Sequence, residues 1–179
     1  MKEISLHILD IAKNSVRAGA THIELSLVEE GETLTFTVKD NGCGMSADFL
    51  ARVCDPFTTT RTTRKVGLGI PLLMLAARQT GGDVTISSHT GEGHGTELSA
   101  TFYLHHIDCM PLGNMVDTVL TLIQGAPTVD WTYTHSKNGK CVSLSTAAIR
   151  QALGDDIPLD TPDVLLWIRS SLEEEYQLI

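Results

Sequence analysis

The sequence is poor in aromatic and basic residues and has no long apolar run. Aromatic side chains make up 5% of its 179 residues, so its core must be mainly aliphatic. No apolar stretch approaches the roughly 20 residues that span a bilayer, and the first ten residues carry acidic side chains in a helical pattern. We therefore expect neither a membrane span nor a signal peptide. The four cysteines form no CxxC pair and no disulfide-framework spacing, which is typical of a reducing cytoplasmic environment.

Basic residues are outnumbered, and the formal net charge is −9. Residues 1–104 contain 9 Lys/Arg against 12 Asp/Glu, whereas residues 105–179 contain 4 against 10. Nonspecific nucleic-acid binding needs clustered basic residues at the phosphates, so this balance argues against it. Solubility is the ordinary explanation of the acidity, and the acidic C-terminal part is also a candidate surface for a partner protein.

Hydrophobic periodicity predicts helices alternating with hairpins. Residues 2–18 and 67–82 have apolar side chains at helical spacing, and a short helix follows Ser46. Apolar and polar residues alternate over 21–40 and again over 83–104, which predicts two antiparallel hairpins. This order predicts an α+β fold, a two-layer sandwich in which helices cover one face of a mixed β-sheet.

The pattern changes at residue 105, which we predict to be a domain boundary. It divides the chain into a first domain, 1–104, and a small acidic extension, 105–179, with the element order αββαα. We expect Trp131, Tyr133 and Trp167 to pack between this extension and the first domain. The predicted elements of the extension are a helix over 113–124, a hairpin turning at Asn138–Gly139, a helix after Ser145, and a helix starting near Pro162 with Thr161 as its cap.

A glycine-rich turn, Asp40-Asn41-Gly42-Cys43-Gly44, comes directly after a predicted strand. A buried carboxylate at a strand end can accept a hydrogen bond from an exocyclic amine such as adenine N6. The neighbouring glycines let a flat base approach the backbone closely. The same residues also suit an Asp-Gly turn with no ligand.

A second glycine pair, Gly67-Leu68-Gly69, opens the second long helix. The unpaired amides and the positive dipole at a helix N-terminus favour phosphate oxygens. Because no Lys-Ser/Thr pair follows the glycines at the Walker spacing, this is not a P-loop.

Asp10 and Asn14 lie one turn apart on the first helix and share a face. An Asn amide oxygen is a suitable ligand for Mg²⁺, and a neighbouring carboxylate can orient a water for attack on a terminal phosphate. A solvated polar stripe on an amphipathic helix explains the same pair.

Taken in order, these segments resemble the four sequence boxes of the GHKL superfamily, whose ATP site is the Bergerat fold of gyrase B, heat-shock chaperones, histidine kinases and mismatch-repair ATPases. The resemblance covers about residues 1–104. The four boxes are the Asn-box run 10–25, the first glycine box at Asp40, Gly42 and Gly44, the Phe box at 55–60 and the second glycine box at 67–70. A closing Gly-x-Gly-Thr motif follows at 93–96.

The resemblance implies that the chain binds ATP or ADP with Mg²⁺. It implies that Asn14 coordinates the metal, that Asp40 reads adenine, and that Gly44 and Thr96 shape the base pocket. Residues 58–70 would form the lid and phosphate cradle, in which Arg61, Arg64 and Lys65 are candidate phosphate ligands. Arg64 and Lys65 could equally form a solvated face of the lid. The remaining implied cofactor contacts are Gly42, Met45, Phe57, Thr59, Gly67, Leu68, Gly69 and Ile70.

The chain departs from the family at Asp10, where the ATPases carry Glu. Asp is one methylene shorter, so we expect slow or negligible hydrolysis with Asp10 as the candidate catalytic base. We also expect no phosphoacceptor helix upstream of the Asn box and no transducer domain downstream. Residues 105–179 resemble the extension of small ATPase-domain proteins linked with iron-only hydrogenases, which implies a protein partner in such a redox system.

Three functions remain open on these grounds. The first is a regulatory switch, in which ATP orders residues 58–65 and changes the affinity for a separate protein. The others are a kinase acting on a His or Ser of another protein, as anti-sigma kinases of this superfamily do, and a plain ATPase. The Asp10 substitution and the expected lack of a phosphoacceptor favour the switch.

Two further sets of side chains are weaker candidates. His7 lies one turn before Asp10 and is a candidate neighbour of the pocket. A zinc or iron site is conceivable at the His and Cys residues of the extension, although their spacing is irregular. These residues are His105, His106, Cys109, His135 and Cys141.

Overall fold

The computed structural model describes residues 2–54, 68–154 and 157–179. These residues form six helices and six strands, and the observed bounds lie within a few residues of the predicted ones. In chain order they are α1 (Ile4–Arg17), β1 (His22–Glu30), β2 (Thr33–Asp40), α2 (Ala47–Cys54), α3 (Gly69–Gln79), β3 (Val84–His89), β4 (Gly95–Tyr103), α4 (Met115–Gly125), β5 (Asp130–Lys137), β6 (Lys140–Ser145), α5 (Thr146–Leu153) and α6 (Pro162–Tyr176).

The strands form one sheet with the order β3-β4-β2-β1-β5-β6. All neighbours are antiparallel except β1 and β5, which run parallel from the pair His22–Asp130 to the pair Glu29–Lys137. The predicted α+β fold with a mixed sheet is therefore confirmed.

The sheet has one apolar and one polar face because its strands alternate with a period of two. On β1, for example, Ile23, Leu25 and Leu27 are buried, while Glu24 is exposed. The buried side chains meet apolar stripes of α1, α3, α4 and α6, and together they form one core. The opposite face carries hydroxyl pairs, such as Thr35 with Thr101 at 2.9 Å.

The residues after 105 continue this sheet. Their elements are one helix, two strands and two helices, and β5 lies beside β1. The hairpin turns at Asn138 and Gly139, whose φ angles are 52° and 76°. Such a tight turn with left-handed backbone suits Asn-Gly. The division of the chain at residue 104 into two domains stays a prediction.

Two local predictions about the extension were wrong. Trp131 and Tyr133 are buried, as expected, but Trp167 is 57% exposed. It lies beside the apolar stripe of α6, whose buried positions are spaced at i, i+4 and i+8. Thr161 occupies the N-cap of α6, yet its hydroxyl donates to the Pro158 carbonyl at 2.7 Å and does not cap the helix amides.

Among the described helices, none combines the length and apolar character required to cross a membrane.

Candidate functional site

A cleft of about 630 Å³ opens between α1, α2, the C-terminal end of β2, the N-terminal end of β4 and the start of α3. A smaller hollow of about 310 Å³, which also has Asp40 and Thr96 in its wall, is lined mainly by residues of polar type. We take the larger cleft as the functional site because its apolar walls and few polar groups are typical of small-molecule sites. Its lining residues are Ile11, Asn14, Ser15, Arg17, Ala18, Val38, Asp40, Cys43, Gly44, Met45, Phe49, Val53, Ile70, Thr96 and Leu98.

The carboxylate of Asp40, the last residue of β2, is held by three donors. Oδ2 accepts a short hydrogen bond from the Ser15 hydroxyl at 2.5 Å. Oδ1 accepts from the backbone N–H groups of Gly42 at 2.9 Å and Thr96 at 3.3 Å. A carboxylate oxygen can accept more than one hydrogen bond, so Oδ2 keeps capacity for a donor from a ligand.

The loop 41–45 after Asp40 packs against the hairpin of β3 and β4. Gly44 has a φ of +69°, and a Cβ at this position would lie 1.8 Å from the carbonyl oxygen of His89. Only glycine permits this backbone and this approach. The Met45 N–H donates to Ser88 Oγ at 2.8 Å, so the loop is tied to β3. Gly44 and Met45 thereby come to line the cleft.

Asn14 lines the cleft from α1, as the sequence predicted. Its Oδ1 accepts a hydrogen bond from Arg17 Nη1 at 3.0 Å, one turn further along the helix. An amide oxygen has two lone pairs, so this contact still leaves room for a metal ligand bond. Asn14 Oδ1 is therefore the oxygen that would hold a magnesium ion at this side of the cleft.

Asp10 lies against the N-terminus of α3. A Cβ on Gly69 would lie 1.9 Å from Asp10 Oδ2, so the carboxylate occupies the space that a side chain at 69 would take. The N-cap of α3 is Leu68, whose side chain cannot accept hydrogen bonds from the first amides. Ile70 joins the cleft lining, whereas Leu68 is exposed.

The structure brings most of the predicted site together. Asn14, Asp40, Gly44, Ile70 and Thr96 line one cleft. Gly42 is buried beneath it against Ala18. The predicted contacts at Phe57, Thr59, Arg61, Arg64, Lys65 and Gly67 lie outside the described residues.

Sequence reasoning missed Ser15 and Ser88. Ser15 stands beside Asn14 in the first box, and only the fold shows that its hydroxyl meets Asp40. Ser88 is paired with Thr96 across the β3–β4 ladder, and its hydroxyl lies 2.8 Å from Thr96 Oγ1. The signal that could have identified Ser88 is its position opposite Thr96, the threonine of the closing Gly-x-Gly-Thr, in the predicted hairpin.

His7 is buried on α1, and its Nδ1 has no hydrogen-bond partner among the described residues. Burial lowers the pKa of its imidazole below the usual range, with a smaller lowering by the N-terminal charge and an opposing effect of Asp10. His7 is not among the residues that line the cleft.

The His and Cys residues of the extension do not converge on a metal site. Among the described residues, no group of three or more His, Cys, Asp or Glu side chains could hold a metal ion. His135 is instead buried between β1 and α6, with Nε2 3.0 Å from Glu29 and Nδ1 2.9 Å from the Tyr176 hydroxyl.

Comparison with known proteins confirms the resemblance over residues 2–106. The family model described as histidine kinase-, DNA gyrase B- and HSP90-like ATPase matches residues 2–106. The sensor kinase CckA of Brucella abortus is 33% identical over 82 residues, which cover 45% of this chain and 9% of that protein. The sensor histidine kinase ZraS of Escherichia coli is 30% identical over 88 residues, which cover 48% of this chain and 19% of that protein.

A solved structure, the MutL ATPase domain of Aquifex aeolicus complexed with ADP, matches with a TM-score of 0.53 at 14% identity. It covers 99% of this chain and 70% of the MutL chain. At this identity the likeness shows the fold alone. The family model spans more than half of the sequence, so the chain belongs to the family of histidine kinase-, DNA gyrase B- and HSP90-like ATPases.

Proposed function

We propose that this chain binds Mg-ATP in the cleft beside α1 and uses it as a regulatory switch. The single observation that carries the proposal is the oriented carboxylate of Asp40, held by Ser15, Gly42 and Thr96 at the wall of an apolar cleft. The relatives support it, because two of them are sensor kinases and the MutL structure contains ADP.

Adenine suits the inner part of the cleft. Its exocyclic amine would donate to Asp40 Oδ2, and its faces would pack between apolar side chains such as Ile11, Val38 and Leu98. A 6-oxo purine offers an acceptor at the same position and would face the carboxylate without a hydrogen. We therefore expect selectivity for adenine over hypoxanthine.

The phosphates would lie toward the start of α3, where the first backbone amides and the helix dipole favour anions. Asn14 Oδ1 would hold the magnesium ion, which would neutralise phosphate charge when bound. Arg17, which already contacts that oxygen, would move aside or share it.

The partner of the switch is a separate protein. Glu173 and Glu174 on α6 are exposed and give the extension an acidic surface for it. The resemblance of the extension to proteins linked with iron-only hydrogenases suggests a redox system as its setting.

Two enzymatic functions are the alternatives. The sensor-kinase relatives favour phosphotransfer to a separate protein. The position of Asp10 beside Gly69 favours a slow ATPase, since this carboxylate faces the N-terminus of α3, where phosphates would lie. Because the Asp10 side chain is short and packs against α3, it would hold an attacking water close to α1. We therefore expect slow hydrolysis at most, and we prefer the switch.

Calorimetric titration of the wild type and Asp40→Asn with Mg-ATP tests nucleotide binding. The variant should weaken binding by at least about tenfold, because an amide N–H₂ replaces the acceptor of a charge-assisted hydrogen bond. Asp160→Asn, at an exposed site, should bind like the wild type. Unchanged affinity in Asp40→Asn would remove the base-recognition role.

Incubation with γ-labelled ATP, alone and with cell extract, separates the three functions. A bound but unaltered nucleotide supports the switch. Free phosphate that disappears in Asp10→Asn indicates an ATPase, and a labelled protein in the extract indicates a kinase.

A further inference from the structure

We propose that His94 is a positioning residue of the adenine pocket, which it shapes by holding the backbone of Gly42. This inference rests on the proposed nucleotide function and deepens it. His94 belongs to the turn between β3 and β4, and its imidazole Nδ1 lies 2.6 Å from the Gly42 carbonyl oxygen. A carbonyl oxygen only accepts, so Nδ1 must carry the hydrogen.

Gly42 connects this contact to Asp40. Its carbonyl accepts from His94, and its N–H donates to Asp40 Oδ1 at 2.9 Å. The two peptide groups that flank the Gly42 Cα are therefore each held by one side chain. The N–H of the second peptide group, that of Cys43, also donates to the Ala18 carbonyl at 2.9 Å, so the imidazole is a second restraint on this group. It thereby helps to fix the backbone whose N–H orients the Asp40 carboxylate.

Both neighbours of His94 are glycines, and its backbone N–H donates to the Gly91 carbonyl at 3.0 Å, so the hydrogen bond to Gly42 is what places its side chain. Gly93 and Gly95 have φ angles of +72° and +150°, which side chains other than glycine rarely adopt. The bond closes one end of the contact between the loop 41–45 and the β3–β4 hairpin. Ser88 closes the other end, since its hydroxyl accepts from the Met45 N–H and lies 3.1 Å from the Gly95 carbonyl.

These two contacts, His94–Gly42 and Ser88–Met45, form a clasp beside the predicted base pocket. Gly44 lies between the two closing contacts, where a Cβ would overlap the His89 carbonyl oxygen, and Thr96 follows directly after the turn; both residues line the cleft. Opening the clasp at His94 would loosen Gly42 and the orientation of Asp40 while leaving the strands paired. Selectivity for the purine amine should therefore suffer more than folding.

The test compares ATP and ITP binding by the 179-residue chain carrying His94→Asn, His94→Gln or His94→Leu. The Asn amide nitrogen can take the place of Nδ1, whereas the Gln nitrogen reaches one atom further and Leu offers no donor. We expect His94→Asn to stay within about twofold of the wild type. His94→Leu should weaken ATP binding by about five- to tenfold, the equivalent of one ordinary hydrogen bond, and reduce the ATP-over-ITP preference.

The controls separate this inference from the function on which it rests. His105→Leu, at an exposed site outside the cleft lining, should bind like the wild type. A wild type that binds no nucleotide overturns both proposals. If the wild type binds ATP and His94→Leu binds it with equal affinity and selectivity, only the role of His94 is overturned. If His94→Leu does not fold, the comparison of His94→Asn with His94→Gln decides, and equal binding by these two variants overturns it.

Nitrogen NMR of the His94 ring tests the geometry without any nucleotide. In the neutral imidazole we expect the hydrogen on Nδ1. A ring with its hydrogen on Nε2 could not donate to Gly42 and would overturn the proposal.

Discussion

Asn14 illustrates at the residue scale how a helix neighbour can control a metal ligand. Its amide oxygen is the predicted magnesium ligand, and Arg17 already donates to that oxygen from the next turn of α1. Arg17 is exposed and can leave at small cost, because exposed contacts of this kind contribute little to stability. We therefore expect this pair to set how strongly ATP binding depends on Mg²⁺.

Asn14→Ala should reduce the Mg²⁺ dependence of ATP binding to nearly nothing, since the metal loses its protein oxygen. Arg17→Ala should keep that dependence or increase it by about two- to threefold, because the competing donor is gone. The measurement is the ratio of ATP dissociation constants without and with Mg²⁺. If the ratio survives in Asn14→Ala, this side chain is structural.

At the scale of elements, the cleft depends on the loop 41–45 fitting closely on the β3–β4 hairpin. Gly44 touches the His89 carbonyl where any Cβ would collide with backbone, so the collision cannot be relieved by a side-chain rotation. Gly91 lies on the same hairpin with a similar positive φ of +92°, but a Cβ there would have nothing within 4 Å. A substitution at either glycine strains the backbone, but only a substitution at Gly44 also causes a steric collision.

Gly91→Ala should lower the free energy of unfolding by about 1 kcal/mol through strain alone and leave ATP affinity unchanged. Gly44→Ala should lower it by at least about 2 kcal/mol and abolish binding, because the loop must move off the hairpin. Urea unfolding and ATP titration of both variants provide the comparison. Equal losses of stability with binding retained would contradict the close fit.

At the scale of the whole molecule, a buried polar cluster joins the extension to the rest of the sheet. His135 on β5 contacts Glu29 on β1 and Tyr176 on α6, and the Tyr176 hydroxyl also meets that of Tyr133. Lys137 lies 3.0 Å from the second oxygen of Glu29. Burial lowers the pKa of His135; Glu29 opposes this effect and Lys137 adds to it.

A lowered pKa in the folded protein makes stability depend on pH in a defined direction. The unfolded chain gains a proton at His135 near pH 6.5, while the folded chain resists it until a lower pH. The free energy of unfolding should therefore fall as the pH is lowered through about 6.5 and stop falling, for this group, below the folded pKa. His7, whose pKa is also lowered, adds to the same slope.

His135→Gln should flatten this slope by up to about 1.4 kcal/mol per pH unit, the contribution of one proton. Urea unfolding between pH 5 and pH 8 measures it, and His105→Gln, at an exposed histidine, is the control. The slope is the decisive quantity because the substitution also changes the absolute stability of a buried site. An unchanged slope would assign the acid sensitivity to other groups.

Local pattern accounts for the elements and for much of the site. The alternation at Ile23, Leu25 and Leu27 predicts β1 because a strand repeats every two residues. Asn138–Gly139 predicts the hairpin of β5 and β6 because these two residues accept the left-handed backbone of the turn. The boxes at Asn14, Asp40 and Thr96 predict one pocket because their order matches a known family. Even the exposure of Trp167 follows from the spacing of the α6 stripe, although we predicted it to be packed.

Contacts between distant segments could be decided only by the tertiary structure. Which strand would lie beside β1 depends on how two apolar surfaces are buried together, and no residue of β5 encodes it locally. The donors on Asp40 from Ser15 and Thr96, and the bond from His94 to Gly42, join parts of the chain separated by 25 to 56 residues. Periodicity and turn chemistry act over a few neighbours, whereas these hydrogen bonds exist only after the sheet and helices have closed around the cleft.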